Sequence, residues 1–279
     1  MSLAGLPFRK MNGLGNDFVI IDLRGGDRKM TPGAARSIAD RTTGIGCDQV
    51  ITIEERGAPF MGVWNADGSE VGACGNAARC VGLILMAEAG RDEIDFLTLS
   101  GAISARRVSD NRIAVDMGAP KLSWKQIPLA EEHQDTRFVN IKLGPIDNPV
   151  LWGPSAVNMG NPHCIFFVDD VNAHALDRFG PMVENHPMFP EQANVSLAEV
   201  RGKHYIRLRV WERGAGITKA CGTAACAALV AAHRRRLTDR KASVELDGGL
   251  LAIEWRDDDH VIMTGPVEFE FDGILPDGV

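Results

Sequence analysis

The chain has no Cys-x-x-Cys pair, and its seven histidines form no cluster at ligand spacing. The usual sequence signs of a zinc or other metal site are therefore missing, and no metal is expected. No apolar run reaches the roughly 18–20 residues needed to span a bilayer, so no membrane association is expected. The opening MSLAGLPFRKMNG lacks the basic-then-apolar design of an export signal, which makes a cytoplasmic location the expectation. Positive charge is also short: 30 Lys and Arg stand against 37 Asp and Glu, for a formal net charge of −7. Such a balance gives no general attraction for nucleic acid, and the run Arg234-Arg235-Arg236 is too brief to reverse it. GIGCDQ (44–49) is glycine-rich but too short for a phosphate loop or dinucleotide fingerprint, so no nucleotide cofactor is implied.

What is present is an ordinary globular composition, 45% hydrophobic and 24% charged over 279 residues, enough for one large domain or two modest ones. Six cysteines make an even number, but the chain is neither short nor evidently secreted, so a disulfide framework is the weaker reading. Most of them read as small buried apolar residues. Two stand apart. In WNADGSEVGACGNAARC (64–80) and WERGAGITKACGTAAC (211–226), a Trp is followed ten residues later by Cys-Gly, within a shared Ala-Cys-Gly-x-Ala-Ala. Trp64 and Cys74 pair with Trp211 and Cys221 at one offset of 147 residues.

The repeat extends further. GLGNDFVIID (13–22) resembles MGNPHCIFFVDD (159–170), and CDQVITIEE (47–55) faintly resembles ANVSLAEV (193–200). Two copies mean a duplicated domain. Strands are expected near 17–22, 49–54, 60–65, 94–98, 102–108 and 112–116, then near 163–168, 194–200, 204–211, 242–246, 250–255 and 261–271. Helices are expected at 32–42, 75–88, 172–185 and 222–236. Those at 75–88 and 222–236 are small or apolar nearly all round, the mark of a helix buried on most sides. The expected fold is therefore α+β (mixed α/β): two similar halves related by a pseudo-two-fold axis, each a curved, mainly antiparallel sheet around a central helix. A linker around 118–135 suggests halves of residues 1–125 and 126–265, with a last strand at about 266–279 free to return to the first half.

Each of the two special cysteines sits where a loop turns into a helix. A helix N-terminus carries about half a positive charge and unpaired N–H groups, and both favour a thiolate over the usual thiol pKa of ~8.5. Gly75 and Gly222 permit close backbone approach, so the same amides suit a substrate carboxylate. One such site would fit a nucleophile with a His partner. A symmetric pair suggests another use. If equivalent loops face one another across an interdomain cleft, two thiols on opposite faces of one carbon act as base and acid, and the carbon is inverted.

A cysteine ahead of a helix of small residues is, taken singly, a packing residue. Duplication in register is what moves Cys74 and Cys221 towards catalysis; Cys47, Cys80, Cys164 and Cys226 lack it and read as packing. Asn16 and Asn161 lie in Gly-Asn loops where asparagine often serves only the turn, but their repetition favours ligand contact. His163 is either a satisfied core histidine or a site residue. Glu212 and Arg213 are either a surface ion pair or, opposite Asn65 in the repeat, a substrate-facing pair with Arg213 suited to a carboxylate.

With these residues assembled, the chain resembles the diaminopimelate epimerase family. The resemblance rests on MNGLGNDF (11–18), GIGCDQ (44–49), NADGSEVGACGN (65–76), MGNPHC (159–164), RLRVWERGAGITKACGT (207–223) and TGPV (264–267), in family order over nearly the whole chain. It implies epimerisation of LL- to meso-diaminopimelate for lysine and peptidoglycan synthesis, with neither pyridoxal phosphate nor metal, in a cytoplasmic homodimer. By position, Cys74 and Cys221 become the acid/base pair, with His163 and Glu212 in support. Asn16, Gln49, Asn65, Gly75, Asn76, Asn161, Asn194, Glu212, Arg213, Gly222 and Thr223 become substrate contacts. Two departures are mild: Cys47 stands where many members have Phe, and Ala77 where many have Gly. The alternatives are a related proline or hydroxyproline racemase, or a non-catalytic amino-acid-binding protein whose cysteines merely pack.

Overall fold

The computed structural model describes residues 2–145 and 147–278. Two compact units are present, one of Met1–Asp116 with Thr264–Val279, the other of Met117–Met263. In the first, β1 (Pro7–Gly13) runs antiparallel to β2 (Asn16–Asp22), and α1 (Pro32–Ala39) carries the chain over to β3 (Gln49–Glu55). A helical crossover is what allows β3 to lie parallel to β2, with Phe18 opposite Gln49. β4 (Pro59–Asn65) returns antiparallel, and β5 (Glu70–Val71) closes a short hairpin. Then come α2 (Gly75–Ala89), β6 (Glu93–Thr98), β7 (Gly101–Ser109) and β8 (Arg112–Asp116).

The second unit opens with the small ribbon β9 (Lys142–Leu143) and β10 (Leu151–Trp152), then repeats this order. β11 (Ser155–Asn158) is antiparallel to β12 (Pro162–Phe167), and α3 (Leu176–Glu184) leads to β13 (Asn194–Val200), parallel to β12. β14 (Tyr205–Glu212), β15 (Gly216–Thr218), α4 (Gly222–Arg234), β16 (Lys241–Leu246) and β17 (Gly249–Trp255) follow. β18 (Val261–Pro266) leaves this unit, and β19 (Glu268–Ile274) pairs antiparallel with β1. The expected mixed α/β fold of two repeated halves is what forms.

Both central helices are buried almost all round. α2 lies against β1, β2, β6, β7 and β8, and α4 against six strands of its own unit. In α4 every residue from Ala224 to Ala232 is buried. Small side chains let the strands come close: a Cβ at Gly82 of α2 would stand 2.6 Å from the Cβ of Ala105 on β7. α2 ends at Gly90, whose φ of 61° is the left-handed conformation glycine adopts without strain. Along β2 and β3, Val19, Ile21 and Val50 join Ala35 and Ile38 of α1 in one core cluster, as the period-2 alternation of strands requires.

Several boundaries differ from the sequence expectation. The segment around 118–135 is no loose linker: Lys121 pairs with Asn158, and Ile127 and Leu129 enter the second unit's core. The strand expected over 261–271 is two strands, because Pro266 has no N–H and Val267 N donates instead to Asn111 O at 2.9 Å. The helix expected over 172–185 begins only at Leu176, since Asp170 ties Asn172 N into a turn at 2.8 Å. The helix expected over 32–42 stops at Ala39, where Asp40 turns its carboxylate onto the amides of Thr42 and Thr43. β1 and β11 were unanticipated; PFRKMNG and the four-residue SAVN show too little alternation to announce a strand.

Candidate active site

Cys74 and Cys221 are the N-cap residues of α2 and α4, both in extended backbone conformation. In the first unit, the Cys74 thiol donates to Asn16 Oδ1 at 3.8 Å, and Asn76 Nδ2 donates to the same oxygen at 3.3 Å. The other end of Asn16 is fixed as well, since its Nδ2 donates to Asp48 Oδ2 at 2.9 Å. Asp48 also accepts from Asp17 N and from Arg41, and Asp17 takes the Lys10 ammonium at 2.6 Å. These cations outweigh burial and hold the Asp17 carboxyl well below the usual range. Asn76 is gripped in turn by the fully buried Arg79 at 3.0 Å. Gln49 and Asn65 are cross-strand partners on β3 and β4, joined from Nε2 to Oδ1 at 2.9 Å.

The second unit puts other side chains in the same register. Val50 faces Trp64 as Val195 faces Trp211, so Asn194 and Glu212 take the places of Gln49 and Asn65. Asn194 is buried, donating to Pro162 O at 3.0 Å and accepting from Arg213 N at 3.0 Å. Arg213 Nη1 also donates to Glu191 O at 2.7 Å, and Thr218 donates its hydroxyl to Glu212. His163, fully buried, donates from Nε2 to Asn161 Oδ1 at 2.9 Å, the tautomer that an acceptor oxygen requires. Burial, with the nearby Arg213 charge, lowers its pKa to about 3, so the ring is neutral.

Cys221 behaves differently from a simple helix-cap thiol. It is buried with its sulfur 3.5 Å from Thr223 Oγ1. Burial first, and then the Glu212 carboxylate, push its pKa well above the ordinary value, against the Thr223 hydroxyl and the Ala224 amide. The expected lowering by the helix N-terminus is thus overturned at Cys221. A helix end contributes about 0.3–1 kcal/mol, whereas full burial moves a group by up to several pH units. Cys47 and Cys80 are pushed up to about 12 by burial, and Cys164 higher still. With Cys226 these four are buried in the two cores.

Within each unit the structure brings together most of the residues singled out from sequence: Asn16, Asn76 and Cys74 in the first, Asn194, Glu212, Arg213, Thr223 and Cys221 in the second. Gly75 and Gly222 open the two helices. Asp48 and Arg79 were missed. Asp48 sits inside GIGCDQ and Arg79 five residues after Cys74, but their partners lie 32 residues and three residues away, and no sequence pattern announces the contacts.

Fold and site together define the class, a mixed α/β protein built from two repeated halves that each present a cysteine at a helix start. The chain belongs to the diaminopimelate epimerase family, whose sequence model matches residues 8–123 and again residues 155–270. The second match begins 147 residues after the first, the offset that separates Cys74 from Cys221. A diaminopimelate epimerase of Phenylobacterium zucineum (strain HLK1) is 53% identical over 274 residues, covering 98% of each chain. One from Rhodopseudomonas palustris (strain BisB18) is 51% identical over 276 residues, covering 97% of this chain and 95% of its own. Among solved structures, a PhzF-family phenazine biosynthesis protein of Bacillus anthracis aligns with TM-score 0.68 at 14% identity, over 98% of this chain and 99% of its own. A hydroxyproline epimerase from Agrobacterium vitis aligns with TM-score 0.67 at 11% identity, over 97% of this chain and 92% of its own. At such identities these two show the fold alone.

Proposed function

We propose that this chain interconverts LL- and meso-2,6-diaminopimelate by a two-base mechanism, with Cys74 and Cys221 as the acid/base pair. The observation that supports it most is the duplication itself: each unit caps a buried helix with a cysteine, and polar side chains reach each sulfur, Asn16 in the first unit and Thr223 and Glu212 in the second. One thiolate takes the α-proton and becomes a thiol. The carbanion then takes the proton of the other thiol on its opposite face, leaving that sulfur as thiolate. No atom is gained or lost, and the reverse reaction restores the starting protonation states. The raised pKa of Cys221 favours its thiol in the substrate-free enzyme and so its role as proton donor there; in the reverse direction the Cys221 thiolate left by that transfer takes the α-proton back.

The α-carbon of an amino acid is a weak acid, so the carboxylate must be stabilised as charge develops. The first amides of α2 and α4, and the Arg213 guanidinium, are the groups suited to that task. Neither pyridoxal phosphate nor metal enters this scheme. The reading places the chain in lysine and peptidoglycan precursor synthesis, as a cytoplasmic homodimer.

Incubation with LL-diaminopimelate in D2O tests the reaction. The expected result is meso product carrying one deuterium at the inverted α-carbon. Turnover of proline or hydroxyproline instead would establish the racemase alternative, and binding without exchange would establish a non-catalytic binder.

A further inference from the structure

We propose that Glu184 is a positioning residue that holds the hairpin carrying Glu212 and Arg213, an inference that rests on the epimerase reading of that hairpin. Glu184 is the last residue of α3 and only 7% exposed. Its Oε2 accepts from the indole Nε1 of Trp211 at 2.7 Å, and its Oε1 accepts from the Gly214 amide at 2.8 Å. The two donors bracket Glu212 and Arg213, one on each side in sequence. Only a carboxylate offers an acceptor oxygen to both; a glutamine would turn its NH2 towards one of them.

The location is electrostatically costly for a carboxylate. A negative charge at a helix C-terminus opposes the macrodipole, and α3 has no basic residue in its last turn. Burial adds desolvation. The neighbouring packing serves the same contact: a Cβ at Gly180, one turn earlier, would stand 2.5 Å from Trp211 Cγ, so glycine there lets the indole lie against the helix and reach Glu184.

The first unit shows that the repeat itself does not require such a clamp. Trp64 is the counterpart of Trp211, yet its buried Nε1 has no hydrogen-bonding partner among the described residues. The loop after Asn65 is held without a buried carboxylate, by Ser69 on Asp67 and by Arg36 of α1, which donates to Asp67 O at 3.2 Å. The carboxylate is found in the unit whose hairpin presents the charged pair.

The test uses the full chain, comparing wild type with Glu184→Gln by hydrogen exchange at the Gly214 amide and the Trp211 indole N–H, and by steady-state kinetics with LL-diaminopimelate. Both protons are expected to exchange roughly tenfold faster or more in the variant. KM is expected to rise by about tenfold or more as Arg213 loses its place, because small misplacements of binding groups are costly. Unchanged exchange, or unchanged KM and kcat in a folded variant, overturns the proposal. Should Glu184→Gln not fold, Trp211→Phe is measured instead; wild-type KM and unaltered Gly214 exchange there overturn it equally. Faster exchange in a protein whose wild type never epimerises diaminopimelate would retire the catalytic reading of the hairpin and leave the clamp itself standing.

Discussion

Asp48 Oδ2 accepts the side-chain amide of Asn16 at 2.9 Å, and that bond decides which end of Asn16 faces Cys74. A carboxylate can only accept, so the asparagine must turn its NH2 towards Asp48 and its oxygen towards the thiol and Asn76. Replacing Asp48 with Asn removes that constraint. We expect Asp48→Asn to lower kcat by roughly tenfold through loss of orientation, consistent with the cost of loosened supporting hydrogen bonds. Because Asp48 is 43% exposed on its side chain, its pairing with Arg41 contributes little to stability, about 0–1 kcal/mol. Kinetics and a thermal melt on the same sample check both halves; wild-type kcat would show that Asn16 needs no such partner.

Removing either sulfur separates catalysis from packing. Cys74→Ala and Cys221→Ala are each expected to lower kcat by roughly 10³-fold, the range for loss of a general acid or base. Cys221 is 5% exposed, so its alanine variant should also lose about 1 kcal/mol from the buried group removed. Steady-state turnover and urea unfolding report the two effects. Normal turnover by either variant would end the two-base scheme.

His163 makes the fold sensitive to acid. Its pKa in the folded state is about 3, below the usual value near 6.5. Above about 6.5 the ring is neutral in folded and unfolded chains alike, so its favourable burial is fully present. As pH falls from there towards 3, only the unfolded chain takes up the proton, and stability declines by up to about 1.4 kcal/mol per pH unit from this group. Urea midpoints between pH 7 and 4 should fall less steeply in His163→Gln, whose side-chain amide can still donate to Asn161. Identical slopes in the two proteins would assign the acid sensitivity elsewhere.

The duplicated tryptophans should respond oppositely to the same substitution. Trp64→Phe removes a buried N–H that has no partner among the described residues, relieving a cost of about 1–3 kcal/mol that offsets the smaller ring. Trp211→Phe removes a donor and leaves one oxygen of a buried carboxylate unpaired, which costs about that much in addition to lost packing. Trp64→Phe is therefore expected near wild-type stability and Trp211→Phe well below it, by chemical denaturation. Equal losses would mean that ring volume alone matters at both places.

Much of this was readable in the linear sequence. The 147-residue repeat, the two helices of small residues and the cysteines at their starts all follow from local composition and spacing, which chain geometry turns into helices and turns without help from distant residues. Less was readable where an element has no periodic signal of its own. β1 acquires its place from β2 and β19, the latter more than 250 residues away, and the segment around 118–135 is ordered by side chains that enter the second unit's core.

The sequence by itself determined the duplication, the mixed α/β class and the placing of a cysteine at the start of each small-residue helix, because each is written in residue type and interval. Only the tertiary structure decided how those groups are tuned. Burial overrides the helix end at Cys221, an aspartate reached across 32 residues turns Asn16, and a glutamate 30 residues before Gly214 takes the hairpin's amide. Desolvation and hydrogen-bond partnership depend on which segments meet in space, and local sequence does not carry that information.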